Sequence, residues 1–217
     1  MNDINDTLQS TDPRSSFAHA VVTARAVVDG VAPDQLTLPT PCPEHDVRSM
    51  LGHMLIVFRR ITALGNGTDP LDMPDVVTGI ADDGWPAAFL EAAHQVQAAW
   101  TDPAKLEQTM VLPWVTAPGA AMLLSYTSEL TVHTWDLAIA TGQTVAWHEP
   151  TVQVAFETAL RALPSGDREA YFAEMAKDMP AIAGRPPFKN PVDVPNGASA
   201  LDQLIGWYGR QPASSLA

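Results

Sequence analysis

Glu129 and His133 stand four residues apart in the string SELTVHTWD. On a helix that spacing puts both side chains on one face, with Cβ atoms about 5–6 Å apart. A carboxylate oxygen and an imidazole nitrogen reaching from there can meet at one ion, with bonds about 2.0–2.2 Å long. His53 is a third donor of the right kind, beside Met50 and Val57 at the edge of an apolar stripe. Two helices can therefore bring His53, Glu129 and His133 to a common point. Three protein ligands leave a fourth position open, the arrangement of catalytic rather than structural zinc. A plainer reading fits the same residues. Glu and His four apart recur by chance on amphipathic helices, and buried histidines are usually just hydrogen-bonded.

Other ligand patterns fail. The His-Glu-x-x-His string of metalloproteases is absent. A di-iron bundle needs two Glu-x-x-His pairs, and only Glu91-Ala92-Ala93-His94 qualifies. His94 therefore reads as a surface or core histidine. Asp136, three residues after His133, is placed either to hydrogen-bond a liganding imidazole or to pair with Arg59 or Arg60. Trp135 points away from the Glu129–His133 face, toward core or interface packing. Tyr126, three residues before Glu129, suits either the open coordination position or the core. Cys42, between Pro41 and Pro43, reads as a buried and inert thiol.

The elements that must hold these residues are helical. Asp12 caps a first helix with Pro13 at its first position, running to Gly30. Asp46 caps a second, whose stripe of Val47, Met50, Leu51, Met54, Val57, Phe58 and Ile61 ends at Gly65-Asn66-Gly67. A third runs from Trp85 to Trp100, and residues 106–113 alternate weakly, as an extended segment would. The fourth helix, from Pro118 to Thr141, stops at Gly142. Shorter helices are expected near 150–163 and 167–177, then an irregular Pro-rich stretch over 178–198. A last helix opens with the capping pattern Ser199-Ala200-Leu201-Asp202. The fold class is mainly α, an antiparallel four-helix bundle with a short helical and irregular C-terminal extension. Residues 1–11 read as a frayed start and 12–217 as one domain, with the bundle at about 12–145 and the extension at about 146–217.

Composition narrows the function. The chain has 217 residues, 46% of them hydrophobic and 17% charged, which supports a sizeable core. A formal net charge of -13 repels phosphate backbones and anionic lipids, arguing against nucleic-acid and membrane partners. A single cysteine and a polar, acidic start without signal-peptide character fit a cytoplasmic protein. A homodimer is compatible with all of this.

The strings TPCPEHDVRSMLGHM and ELTVHTWDLAIATGQ resemble the two signature segments of the mycothiol-dependent maleylpyruvate isomerase family, part of the DinB-like superfamily. The tail PPFKNPVDVPNGASALDQLIGWYGRQP is similar to the ending of a shorter actinobacterial branch. The resemblance implies a DinB-like bundle whose divalent metal, commonly zinc, is held by His53, Glu129 and His133. Donor softness allows nickel, cobalt or manganese as well. It also implies a small-molecule thiol, mycothiol, as co-substrate, activated by the metal for attack on an electrophile in a transferase or isomerase reaction. A non-enzymatic metal-bound binding or regulatory protein, or a metal-dependent hydrolase, are the alternatives. Two departures stand out. Glu44-His45 replace a usual Gly-Trp, and where the isomerase itself carries a substantial extra C-terminal domain, roughly forty Pro-rich and helical residues follow the last long helix region here.

Overall fold

The computed structural model describes residues 12–179 and 188–212. The first helix, α1 (Pro13–Asp29), starts where the Asp12 carboxylate accepts the Arg14 backbone N–H at 2.9 Å. The second, α2 (Val47–Asn66), starts where Asp46 accepts the Ser49 N–H at 2.8 Å. Both caps satisfy backbone donors that a first helical turn leaves free. Helix α3 (Trp85–Ala99) and a single turn, α4 (Ala104–Glu107), lead into a hairpin of β1 (Thr109–Leu112) and β2 (Val115–Pro118). Helix α5 (Gly119–Thr141) follows, then α6 (Glu149–Ala162), α7 (Arg168–Met175) and α8 (Ala200–Trp207).

Four long helices close a ring: α1 packs on α3 and α5, and α2 packs on the same two. Phe17, Met54, Phe58, Ile61, Phe89, Leu130 and Leu137 fill its interior. This is the mainly helical bundle expected from the periodicity, and it is consistent with the DinB-like fold that the resemblance implies. No helix among the described residues is long and apolar enough to cross a membrane.

The outer side of α5 carries a second core. Val132 and Trp135 point there, against Ala155 and Ala159 of α6, Leu204 and Ile205 of α8, and Tyr208. The tail is fastened by Arg168, which has no exposed surface. Its guanidinium donates to the carbonyls of Pro164, Lys189 and Trp207 and lies 4.8 Å from the Trp207 ring centre. Arg168 thus satisfies carbonyls just beyond α6, in the irregular stretch and at the end of α8.

Two local expectations are refined. Within the Gly65-Asn66-Gly67 stop of α2, Gly65 is still helical. It lies inside the helix, where a Cβ would come 2.7 Å from Trp100 Nε1, and Gly67, at φ 69°, is the left-handed stop. The Trp100 indole needs that space to donate to the Ile61 carbonyl at 2.8 Å. Within 106–113 only Thr109–Leu112 is extended, and it pairs antiparallel with Val115–Pro118. That partner strand was hidden by its shortness and by the proline at its end. The frayed start at 1–11 and residues 180–187 of the Pro-rich stretch lie outside the described residues.

Leu204 is fully buried in the second core. Leu204→Ala should lower stability by about 2–5 kcal/mol, measured by urea denaturation. A loss under about 1 kcal/mol would mean that the extension does not unfold together with the bundle.

Candidate metal centre

His53 follows Gly52 on the buried side of α2, and the glycine sets its surroundings. The Val77 N–H donates to the Gly52 carbonyl at 3.1 Å. A Cβ at Gly52 would stand 2.4 Å from the Val77 carbonyl oxygen and 2.6 Å from Val76 Cγ1. Residues 75–77 therefore lie directly on the helix, which brings the Asp75 carbonyl to 3.3 Å from His53 Nδ1. With its proton on Nδ1 directed at that carbonyl, His53 keeps the Nε2 lone pair free. Nε2 is 3.5 Å from Glu129 Oε1.

His133 is oriented the same way from α5. Its Nδ1 is 3.0 Å from Asp136 Oδ2. Asp136 has no exposed side-chain surface and is gripped by Arg210, Nε donating to Oδ1 and Nη2 to Oδ2, both at 2.8 Å. The partner expected for Asp136 was Arg59 or Arg60. Instead Arg60 turns to Asp75 at 3.5 Å, and the cation comes from beyond α8. Both roles foreseen for Asp136 coexist, because a carboxylate has two oxygens and several lone pairs.

Both imidazoles thus hold Nδ1 against an acceptor, and His53 turns its Nε2 toward Glu129. One donor atom from each of His53, Glu129 and His133 lies within 4.8 Å of the other two. Donors at about 2.0–2.2 Å from a tetrahedral ion are about 3.3–3.6 Å apart, so the 3.5 Å His53–Glu129 spacing fits one directly. The side chains of His53, Glu129 and His133 are 16%, 27% and 12% exposed, so the cluster opens to solvent on the glutamate side.

Charge follows this geometry. Burial works to lower the pKa of His53, but the hydrogen bond and charge of Glu129 outweigh it and the net shift is upward. Burial pushes Glu129 up, yet His53 and the nearby cations bring it below its ordinary value. His133 is lowered, chiefly by burial, which the Asp136 hydrogen bond only partly offsets. Asp136 is lowered despite burial because His133 and Arg210 both bond to it.

Around the cluster, Tyr126 is buried, and burial together with the Glu129 charge raises its phenol pKa. Cys42 is half-buried and its thiol is pushed up to about 12, chiefly by burial. Its Sγ lies within 4.8 Å of donors on His133 and Asp136. Of the remaining histidines, His94 is exposed on α3, and His19 and His148 stack on each other at 3.8 Å.

Three contributors escaped the spacing argument: Gly52, Arg210 and His45. A glycine inside an apolar helical stripe was a signal for Gly52, since it costs helix stability and marks a close approach. Nothing in the tail pointed Arg210 at Asp136. His45 stood out only as an unusual residue. Its ring stacks on His53, centres 5.0 Å apart, and His53 in turn meets His133 edge-on at 4.9 Å.

A helical bundle that gathers two histidines and a glutamate from two of its helices, open on one side, is the class of protein defined here. The chain belongs to the mycothiol maleylpyruvate isomerase N-terminal domain family, whose model matches residues 17–138. It is also 28% identical over 199 residues to an uncharacterized protein of Mycobacterium tuberculosis (strain CDC 1551 / Oshkosh), covering 92% of this chain and 98% of that one. An uncharacterized protein of strain ATCC 25618 / H37Rv matches with the same figures. No solved structure matches the chain significantly.

Two outcomes follow. In metal-free protein, stability should fall as pH drops from about 6.5 toward about 4. His133 is lowered, and His45 is pushed down to about 4 by burial and by the neighbouring His53 and His133. For both groups the unfolded chain therefore protonates first, and stability drains as pH falls toward the folded values. His53, with its raised pKa, opposes this singly. Denaturation midpoints across that window should slope less in His45→Asn, and an unchanged slope would show that His45 is not held neutral. Separately, Asp136→Asn should weaken retention of a divalent ion by about 10–100-fold, read by competition with a chromogenic chelator. Parental affinity in that variant would remove Asp136 from the site.

Proposed function

We propose that the chain is a divalent-metal-dependent enzyme that uses a small thiol, with His53, Glu129 and His133 as the metal ligands. The observation that carries this is the clustering of one donor atom from each of His53, Glu129 and His133 within 4.8 Å, with Nδ1 of both imidazoles engaged by an acceptor. A ligating histidine commonly donates its other N–H to a carboxylate or carbonyl, which fixes the tautomer. Asp136 and the Asp75 carbonyl are such groups.

A divalent ion held by two neutral imidazoles and one carboxylate retains net positive charge and would hold a thiol, ordinarily of pKa about 8.5, as its thiolate. Zinc suits this donor set, as do nickel, cobalt and manganese. The protein's own contribution is orientation. Asp136, charged and fixed by Arg210, holds the His133 ring; residues 75–77 hold His53; Tyr126 and the bundle core wall off water on the inner side. Family membership favours mycothiol as the thiol. The co-reactant would be an electrophile. Thiolate addition and later elimination return the thiol and isomerise a double bond, whereas loss of a leaving group leaves sulfur on the product. Such chemistry suits a reducing cytoplasm.

One observation favours a second reading. Both ring nitrogens of His53 face acceptors, Glu129 and the Asp75 carbonyl, which suits a protonated imidazolium paired with Glu129 and no metal.

Elemental analysis after dialysis separates the two. The parent, His94→Ala and His148→Ala should each retain one divalent ion per chain, and His53→Ala, Glu129→Ala and His133→Ala should retain none. Cobalt-loaded parent should also gain a thiolate-to-metal absorption band when a small thiol is added. Full occupancy in His53→Ala or His133→Ala sinks the ligand assignment. A cobalt spectrum indifferent to thiols leaves a metal protein without thiol chemistry.

A further inference from the structure

The loop before α2 holds His45 over the ligand cluster. Thr40 Oγ1 lies 2.9 Å from the Cys42 carbonyl and 2.7 Å from the His45 carbonyl, and the His45 N–H donates to the Cys42 carbonyl at 3.0 Å. Pro39 and Asp46 form a β-bridge across the base of the loop. With Pro41 and Pro43 also inside it, the loop has little freedom to carry His45 away.

Two features of the ring point to a ligand. The His45 Nδ1 is buried and has no hydrogen-bond partner. A buried polar atom left unpaired costs about 1–3 kcal/mol, so such an atom marks where something else is to be bound. The second feature is spacing. Imidazoles bound through nitrogen at about 2.0–2.1 Å to one tetrahedral ion have ring centres about 5 Å apart. His53 and His133 show 4.9 Å and meet edge-on, while His45 and His53 show 5.0 Å with near-parallel rings, so the distance fits but the His45 ring must turn before its lone pair can meet the ion.

We infer that His45 supplies a fourth protein ligand, closing the position that three ligands leave open until an incoming thiol displaces it. This rests on the metal reading above. As the side chains stand, His45 is not in the group whose donors lie within 4.8 Å of one another. Capture of the ion therefore takes a rotation of the His45 side chain on a fixed backbone. Cys42 is the competing donor from this loop. Its group with His133 and Asp136 requires Asp136 oxygens that Arg210 and His133 already occupy, and its Sγ is bonded to Glu44 at 3.3 Å. The consequence is a resting site closed to water and stray anions, entered only by a donor that binds the ion better than an imidazole does. A soft thiolate is such a donor.

X-ray absorption of the zinc-loaded full chain tests this by counting ligands. The parent should show three imidazoles, and His45→Ala and His45→Asn should each show two, with circular dichroism unchanged from the parent. Adding a small thiol such as N-acetylcysteine to the parent should introduce one sulfur and remove one imidazole. Two imidazoles in the parent, or three that survive in both His45 variants, overturn the inference. So does a sulfur neighbour in the thiol-free parent that disappears in Cys42→Ser, because the loop's donor would then be Cys42. Failure of the parent to take up zinc at all is a separate result, which removes the metal reading itself and this inference with it.

Discussion

The pairing of Arg210 with Asp136 is the interaction on which the site depends. Both carboxylate oxygens accept from the guanidinium, and one of them also faces the His133 ring. An ion pair this deeply placed gains its value from completeness. Removing one partner of such a pair typically costs about 3–5 kcal/mol, because the other charge stays buried alone. The cation therefore does more than hold down the tail. It keeps Asp136 ionised, so that the carboxylate accepts from His133 Nδ1 and leaves the Nε2 lone pair free for an ion.

That geometry needs α5 to be fixed on two sides. One face carries Leu130 and Leu137 into the bundle core, and the other carries Val132 and Trp135 into the second core against α6 and α8. Glu129, His133 and Asp136 lie on a helix whose rotation is set by both contacts. On the opposite wall, α2 is held by the bundle core on one side and by residues 75–77 on the other, where Gly52 permits contact of the two backbones. A site between two helices, each clamped from two directions, keeps its donor atoms on rigid elements.

Much of this was readable from residue order. The helices announced themselves through Asp12, Asp46 and Ser199 as caps and through Gly67 and Gly142 as stops, all local signals encoded within a turn of the residues they affect. The grouping of Glu129 with His133 followed from helical spacing, and His53 from its position on the stripe of α2. What sequence could not carry was anything joined only by packing. Arg210 meets Asp136 across 74 positions, and no periodicity relates them. The Asp75 carbonyl reaches His53 from a segment with neither helical nor strand pattern. The β2 strand has four residues with a proline at its end, too short to register as alternation. The reading of Trp135 as facing away from the ligands was sound, but only the structure shows that it faces α6 and α8.

The double role of α5 bears on where this protein can be divided. The family match ends at residue 138, within a turn of the C-terminus of α5. The family model and mechanical integrity therefore have different boundaries in this chain, and the two mycobacterial relatives, matched over 92% of it, reach well past the first. A fragment cut at the end of the matched region would keep every proposed metal ligand. It would also turn Val132 and Trp135 to water and leave Asp136 without its cation. The smallest piece that preserves the ligand geometry extends through Arg210, so the tail acts as the last turn of a lock whose other parts are all made before residue 140.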